Sequence, residues 1–177
     1  MLHLGIDASG LERIHPFHQV VADTRGLNRP GANVLVPVFP GRGLRADRWS
    51  ISASTHVTPH EFAVPPGEAC RRRACLEERL LGAVRSVIPD VDGRTRLLRS
   101  ATPSTYQRYT SRPGGFVGGL KQVPSVVALR APGHREGPGL VIAGDHTFPG
   151  QGTVGTALSG INAARDVLEF LGKESPL

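Results

Sequence analysis

The sequence predicts an α+β fold, and three observations carry that reading. Short β-prone runs alternate apolar with polar residues in the first third of the chain. One long stretch, about Glu68 to Ile88, keeps its apolar residues at helical spacing. A strand–turn–helix pattern then starts near Gly139 and runs towards the end. The 177 residues suffice for one domain with a core, yet a hydrophobic content of 39% is low for that length, and 22 Gly with 15 Pro imply many turns. Either the chain is a loop-rich α+β domain, or it is a piece of a larger one whose missing partner covers some apolar surface. Met1 to Asp7 reads like the interior of a strand, with no targeting segment before it, which favours the second reading.

Taken in order, Leu2 to Ile6 and Phe17 to Ala22 read as strands joined by a turn around Gly10 to Pro16. Asn33 to Phe39 is a third, in which Pro37 suggests an edge position or a bulge. Arg42 to Arg48 is a polar loop. Trp49 to Val57 sets Trp49, Ile51, Ala53, Thr55 and Val57 against Ser50, Ser52, Ser54 and His56, the alternation of a half-buried strand. Together these predict a small mixed or antiparallel sheet. Pro65, Pro66 and Gly67 precede the long helix, whose stripe is Leu76, Leu80, Val84 and Ile88. Arg71, Arg72 and Arg73 fall on its solvated side, and Pro89 ends it. Thr95 to Ser100 and Lys121 to Arg130 read as further strands, with a loop from Ala131 to Pro138.

The C-terminal pattern is the centre of the functional reading. Leu140 to Ala143 has the continuous apolar character of a strand buried on both faces. Gly144 and Asp145 end it, and Pro149, Gly150 and Gly152 make a turn. A helix follows, with Val154, Ala157, Leu158, Ile161, Ala164, Val167, Leu168 and Leu171 on one expected core face. Gly155, Ser159 and Gly160 leave another edge small enough for a backbone or a flat ligand to approach. Free N–H groups and the positive dipole end at such a helix start suit an electron-rich group. Gly150, Gly152 and Gly155 spell G-x-G-x-x-G, but the dinucleotide reading is rejected. Gly144 to Pro149 make too long a separation from the strand, no second strand follows, and Glu169 and Glu174 lie on or just after the helix.

Gly144, Asp145, Phe148, Pro149, Gly150, Gln151 and Gly152, with the Ser159–Gly160 pair, resemble the C-terminal flavin signature of the phytoene desaturase and carotenoid isomerase family of FAD-dependent oxidoreductases. Ala101 to Gly119 resembles that family's upstream threonine-proline, arginine and paired-glycine segment. The resemblance implies a substrate-domain-like mixed sheet with one long helix over residues 1–130, and an FAD-contacting strand–loop–helix over 131–177. It implies that the family's N-terminal Rossmann unit is missing, so that a separate N-terminal FAD-binding polypeptide is the expected partner. It also implies FAD as cofactor, held by Gly144, Asp145, Gly150, Gln151, Gly152, Thr153 and Val154. Asp145 would accept a bond from a ribityl hydroxyl, and the helix start would face the flavin pyrimidine edge. Arg112, Gly114 and Gly115 would line the approach of a lipophilic polyene substrate that is desaturated or isomerised.

His146 departs from the small serine or cysteine usual in the family and is the weak candidate for proton transfer; the catalytic residues are otherwise unknown. The alternatives are a flavin-free domain that binds a hydrophobic ligand, or a nonfunctional truncated remnant.

The remaining composition narrows the field. Net charge is +6, supplied almost wholly by Arg, but no zinc spacing or nucleic-acid motif accompanies it and aromatics are only 5%, so nucleic-acid binding is not expected. An anionic membrane surface suits the charge and the lipid-soluble substrates implied above. Histidines lack metal-ligand spacing, and no metal is expected. Cys70 and Cys75 sit on different faces of one helix, which argues against a mutual disulfide and for a reducing, cytoplasmic compartment. No run approaches the length of a spanning helix, so membrane contact is expected to be peripheral, on the inner face.

Overall fold

The computed structural model describes residues 1–24, 26, 29–119 and 135–174. The chain forms two compact units that part between Phe116 and Val117. The boundary expected at residue 130, the strand expected over 121–130 and residues 131–134 of the expected loop lie outside the described residues, and Arg135–Gly137, expected as part of that loop, form a short strand instead.

The first unit is an antiparallel sheet covered by a helix. Its strands are β1 (Leu2–Asp7), β2 (Phe17–Val21), β3 (Asn33–Phe39), β4 (Arg48–Ala53) and β5 (Thr95–Ser100), in the spatial order β2-β3-β4-β1-β5. Period-two alternation sends Leu2, Leu4 and Ile6, then Val34, Val36 and Val38, then Trp49, Ile51 and Ala53 into one core. Helix α1 (Pro66–Val87) covers them with Leu80, Ala83 and Val84, and Ile88 and Val91 close its end. Burying a side chain of this size stabilises by about 1.5–3 kcal/mol, so the regular alternation fixes register as well as stability. Arg72 and Arg73 pair with Glu68 and Glu77 one turn away on the solvated side.

Two expectations need correction here. Strand β3 is interior rather than an edge, and Pro37 is accommodated by a break in its ladder. Leu35 bridges Ser54, and Val38 and Phe39 pair with Ile51 and Ser50, while Val36 and Pro37 pair only with β2. A proline has no N–H to give to a second neighbour. Strand β4 also ends at Ala53, four residues short of the alternating pattern: after the Leu35–Ser54 bridge, the Thr55 side chain takes over, donating to the Asn33 carbonyl and accepting from the Gly31 N–H.

After α1 come the short helix α2 (Val91–Arg94), β5, and helix α3 (Pro103–Thr110), which Thr102 and Thr105 cap reciprocally. The second unit contains the hairpin β6 (Arg135–Gly137) and β7 (Leu140–Val141), and helix α4 (Thr153–Phe170). Leu140 to Ala143 is therefore not a doubly buried strand. Its paired part is two residues long, Leu140 is 58% exposed, and Ile142 is also exposed. Its apolar character has no second layer to meet among the described residues.

Helix α4 forms as expected but buries a different side. Ser159 and Ala163 are its buried residues, whereas Val154, Leu158 and Val167 are exposed. At 3.6 residues per turn, Gly155, Ser159 and Ala163 share a face roughly opposite the apolar stripe. The small face lies on the Gly144–Gly150 loop, where close backbone approach leaves no room for larger side chains. A Cβ on Gly155 would stand 2.5 Å from the Gly150 carbonyl oxygen. Arg135 ties the hairpin to the helix through Asp166 and Glu169, and these hydrogen bonds raise the guanidinium above its ordinary pKa. No helix among the described residues is long and apolar enough to cross a membrane.

Candidate functional site

The site expected at Gly144 to Val154 is a loop wrapped around the first turns of α4. Gly144, at φ 148°, turns the chain away from β7 in a region that side chains rarely adopt. Its N–H donates to Ser159 Oγ at 2.9 Å, and its carbonyl accepts from Thr147 Oγ1 at 3.0 Å. Thr147 and Ser159 are both buried, and their hydroxyls share a bond of 2.5 Å. Asp145 and His146 form the outward part of this loop. The carboxylate is largely covered, and His146 Nδ1 lies 3.0 Å from its Oδ1, with the imidazole itself exposed.

Two glycines upstream approach the same loop. A Cβ on Gly119 would collide with the Asp145 carbonyl oxygen, and one on Gly118 would collide with the side-chain oxygen of Gln151. The paired glycines thus let one segment pass directly over another. Beyond Thr147, the chain makes a cis Phe148–Pro149 bond and reaches Gly150 and Gly152, at φ 111° and 90°. Gly152 is the N-cap of α4, and no side chain caps the helix there. Gln151, Gly152, Thr153 and Val154 are all exposed. The result is an exposed helix start with no side-chain cap among the described residues and no acid in the first turn. The space where Cβ atoms of Gly144 and Gly152 would stand is clear.

The other expected site residues belong to the first unit. Arg112 precedes a tight 3-10 turn over Pro113, Gly114 and Gly115, and Gly114 N–H donates to the Gln107 side chain at 3.1 Å. Gly115, at φ 66°, presses on the Pro103 backbone so closely that a Cβ would collide with it. This turn is a buttress for α3. A cleft of about 580 Å³ lies elsewhere in that unit, between β2, the Pro30–Ala32 turn and α1, with Arg29 and Arg79 on its wall. None of the residues expected to contact cofactor or substrate lines it. Among the described residues no cluster of His, Cys, Asp and Glu could hold a metal, and both cysteines are free and exposed.

Thr147 was not visible as a site residue in the sequence, because a hydroxyl in a short loop belongs to no period. The four-residue spacing of Gly155, Ser159 and Ala163 was the available signal for the true packing face.

Comparisons with known proteins bear on the whole chain. It is similar to prolycopene isomerase, chloroplastic, of Arabidopsis thaliana: 24% identical over 98% of this chain and 30% of that protein. It is 33% identical to prolycopene isomerase, chloroplastic, of Daucus carota over 59% of this chain and 17% of that protein. Prolycopene isomerase 2, chloroplastic, of an Oncidium hybrid cultivar shares 28% identity over 59% of this chain and 18% of its own length. The chain thus spans less than a third of the curated relatives it matches. No family model matches, and no solved structure matches. What these matches establish is a weak, partial likeness to prolycopene isomerases, which extends through nearly all of the chain in the Arabidopsis comparison.

Proposed function

We propose that this chain is the C-terminal part of an FAD-dependent oxidoreductase that acts on carotenoid or isoprenoid polyenes by isomerisation or desaturation. The observation that carries the reading is the open start of α4 beside the loop that presents Asp145. In this reading the N–H groups of Thr153 and Val154 and the dipole of α4 stabilise negative charge on the pyrimidine side of the isoalloxazine. Asp145 would accept a hydrogen bond from the ribityl chain, and Gly144, Gly150 and Gly152, having no side chains, would let the cofactor approach the backbone. A bound flavin supplies the hydride chemistry that no side chain offers. The likeness to prolycopene isomerases supports a polyene as substrate.

The same reading gives the chain a partner, an N-terminal polypeptide that binds the adenosine half of FAD. Support comes from the apolar surface of the second unit. Leu140, Ile142, Phe148, Val154, Leu158, Val167, Phe170 and Leu171 are all exposed there, and apolar residues left uncovered in such number suit a docking surface. Contact with an anionic membrane, driven by the +6 net charge, would bring the assembly to its lipophilic substrate.

Flavin absorbance and fluorescence after desalting test the proposal. The chain alone is expected to retain little flavin, and the chain with a polypeptide carrying a strand–G-x-G-x-x-G–helix unit is expected to retain one equivalent. Absence of flavin from both preparations, with polyene bound by the colourless chain, would replace the proposal with a flavin-free binding domain.

A further inference from the structure

We propose that Gly144, Thr147 and Ser159 close a one-directional ring of three hydrogen bonds, and that this ring positions Asp145. The assignment of protons follows from what each group is able to do. A backbone N–H only donates, so the bond of 2.9 Å runs from Gly144 to Ser159 Oγ. A carbonyl only accepts, so the bond of 3.0 Å runs from Thr147 Oγ1 to the Gly144 oxygen and uses threonine's single hydroxyl proton. The hydroxyl–hydroxyl bond of 2.5 Å must then be donated by Ser159. Each hydroxyl gives once and receives once, and the path returns to the residue where it began.

Burial makes the ring consequential. Ser159 is fully buried and Thr147 nearly so, so water is a poor substitute for either partner. Asp145 and His146 are the two residues between the ring's loop members, fixed at both ends while their side chains stay outside it. Ser159 and Thr147 are therefore positioning residues: they act through the loop. The ring follows from geometry alone, whereas its bearing on cofactor binding rests on the flavin reading above.

The substitutions separate cleanly. Ser159→Ala removes two of the three bonds and orphans the Gly144 N–H. Thr147→Val, equal in shape, also removes two, and Thr147→Ser keeps all three. Because the singles share the Ser159–Thr147 bond, the double variant S159A/T147V is expected to lose less than the sum of the singles.

The test is amide hydrogen exchange by NMR on the full chain, alongside flavin titration with the completing polypeptide present. Exchange at Gly144 is expected to speed up by about tenfold or more in Ser159→Ala and to stay within about twofold of the parent in Thr147→Ser. Flavin affinity is expected to fall about tenfold in Ser159→Ala and Thr147→Val and to recover in Thr147→Ser. Unchanged Gly144 exchange in Ser159→Ala would overturn the ring, as would equal damage from Thr147→Ser and Thr147→Val. Altered exchange with unaltered flavin affinity would overturn the positioning role. Should the parent bind no flavin at all, the flavin reading fails separately, Gly144 exchange decides the ring, and an Asp145 amide shift unmoved in Ser159→Ala would overturn the positioning role.

Discussion

Gly119→Ala is the sharpest single perturbation of the candidate site. The φ at Gly119 lies outside the left-handed region, so alanine meets no left-handed penalty there and the effect is steric. The new Cβ would overlap the Asp145 carbonyl oxygen and stand 2.7 Å from its carbon. The tighter contact, 1.7 Å to the carbonyl oxygen, sets the displacement: to restore an ordinary separation Asp145 or the Gly118–Gly119 segment must retreat by about 1.5 Å. Overpacking of this kind destabilises by about 1–3 kcal/mol, and a displacement of about 1 Å at a binding group is enough for a loss of up to about a hundredfold in function. The expected outcome is faster amide exchange across residues 144–147, a downfield or upfield move of the Asp145 resonance, and weakened flavin retention in the completed assembly. Parent-like exchange and shifts at Asp145 would refute the reasoning, because they would mean that the two segments do not touch.

Other substitutions probe the rest of the architecture. Gly160→Ala is expected to stabilise α4 by about 0.5–1 kcal/mol, since a Cβ there meets nothing within 4 Å; loss of helix signal in thermal melts would contradict this. Leu80→Ala empties a site that is 2% exposed beneath the sheet and should destabilise by about 2–5 kcal/mol in urea unfolding followed by circular dichroism. Asp7 is held below the ordinary carboxylate range chiefly by hydrogen bonds from Ser9, with help from Arg96. Its contribution is therefore present above the unfolded pKa and lost as pH falls through about 4 and below. Asp7→Asn should flatten that part of the melting temperature's dependence on pH, and an unchanged slope would remove Asp7 from the account.

Much of the first unit was legible in the sequence because its energetics are written in two short periods. Val34, Val36 and Val38 alternate, Trp49, Ile51 and Ala53 alternate, and Leu76, Leu80 and Val84 climb one helix face. The structure puts these positions into one core, except Leu76, which is only half-buried and lies outside that cluster. Periodicity failed where packing depended on neighbours distant in the sequence. Leu140 to Ala143 has the composition of a doubly covered strand, but coverage is a property of what lies beside it. In α4 the larger apolar residues pointed to one face while contact with a glycine-rich loop selected the other. The α4 start and its glycines could be read from the chain, whereas Thr147 gained meaning only when folding brought it to Ser159.

The two faces of α4 divide labour in a way that bears on how an assembly would form. The small face is already spent on the loop, with Ser159 fully buried against Thr147 and the Gly144 backbone. The large face is ordered yet uncovered. A protein docking there would meet a preformed helix, so little chain entropy would be surrendered on contact. Association should carry the negative heat-capacity change of apolar burial without the large opposing entropy that marks coupled folding. Calorimetry at several temperatures would then report docking of finished surfaces, with the loop that presents Asp145 already in place before any partner arrived.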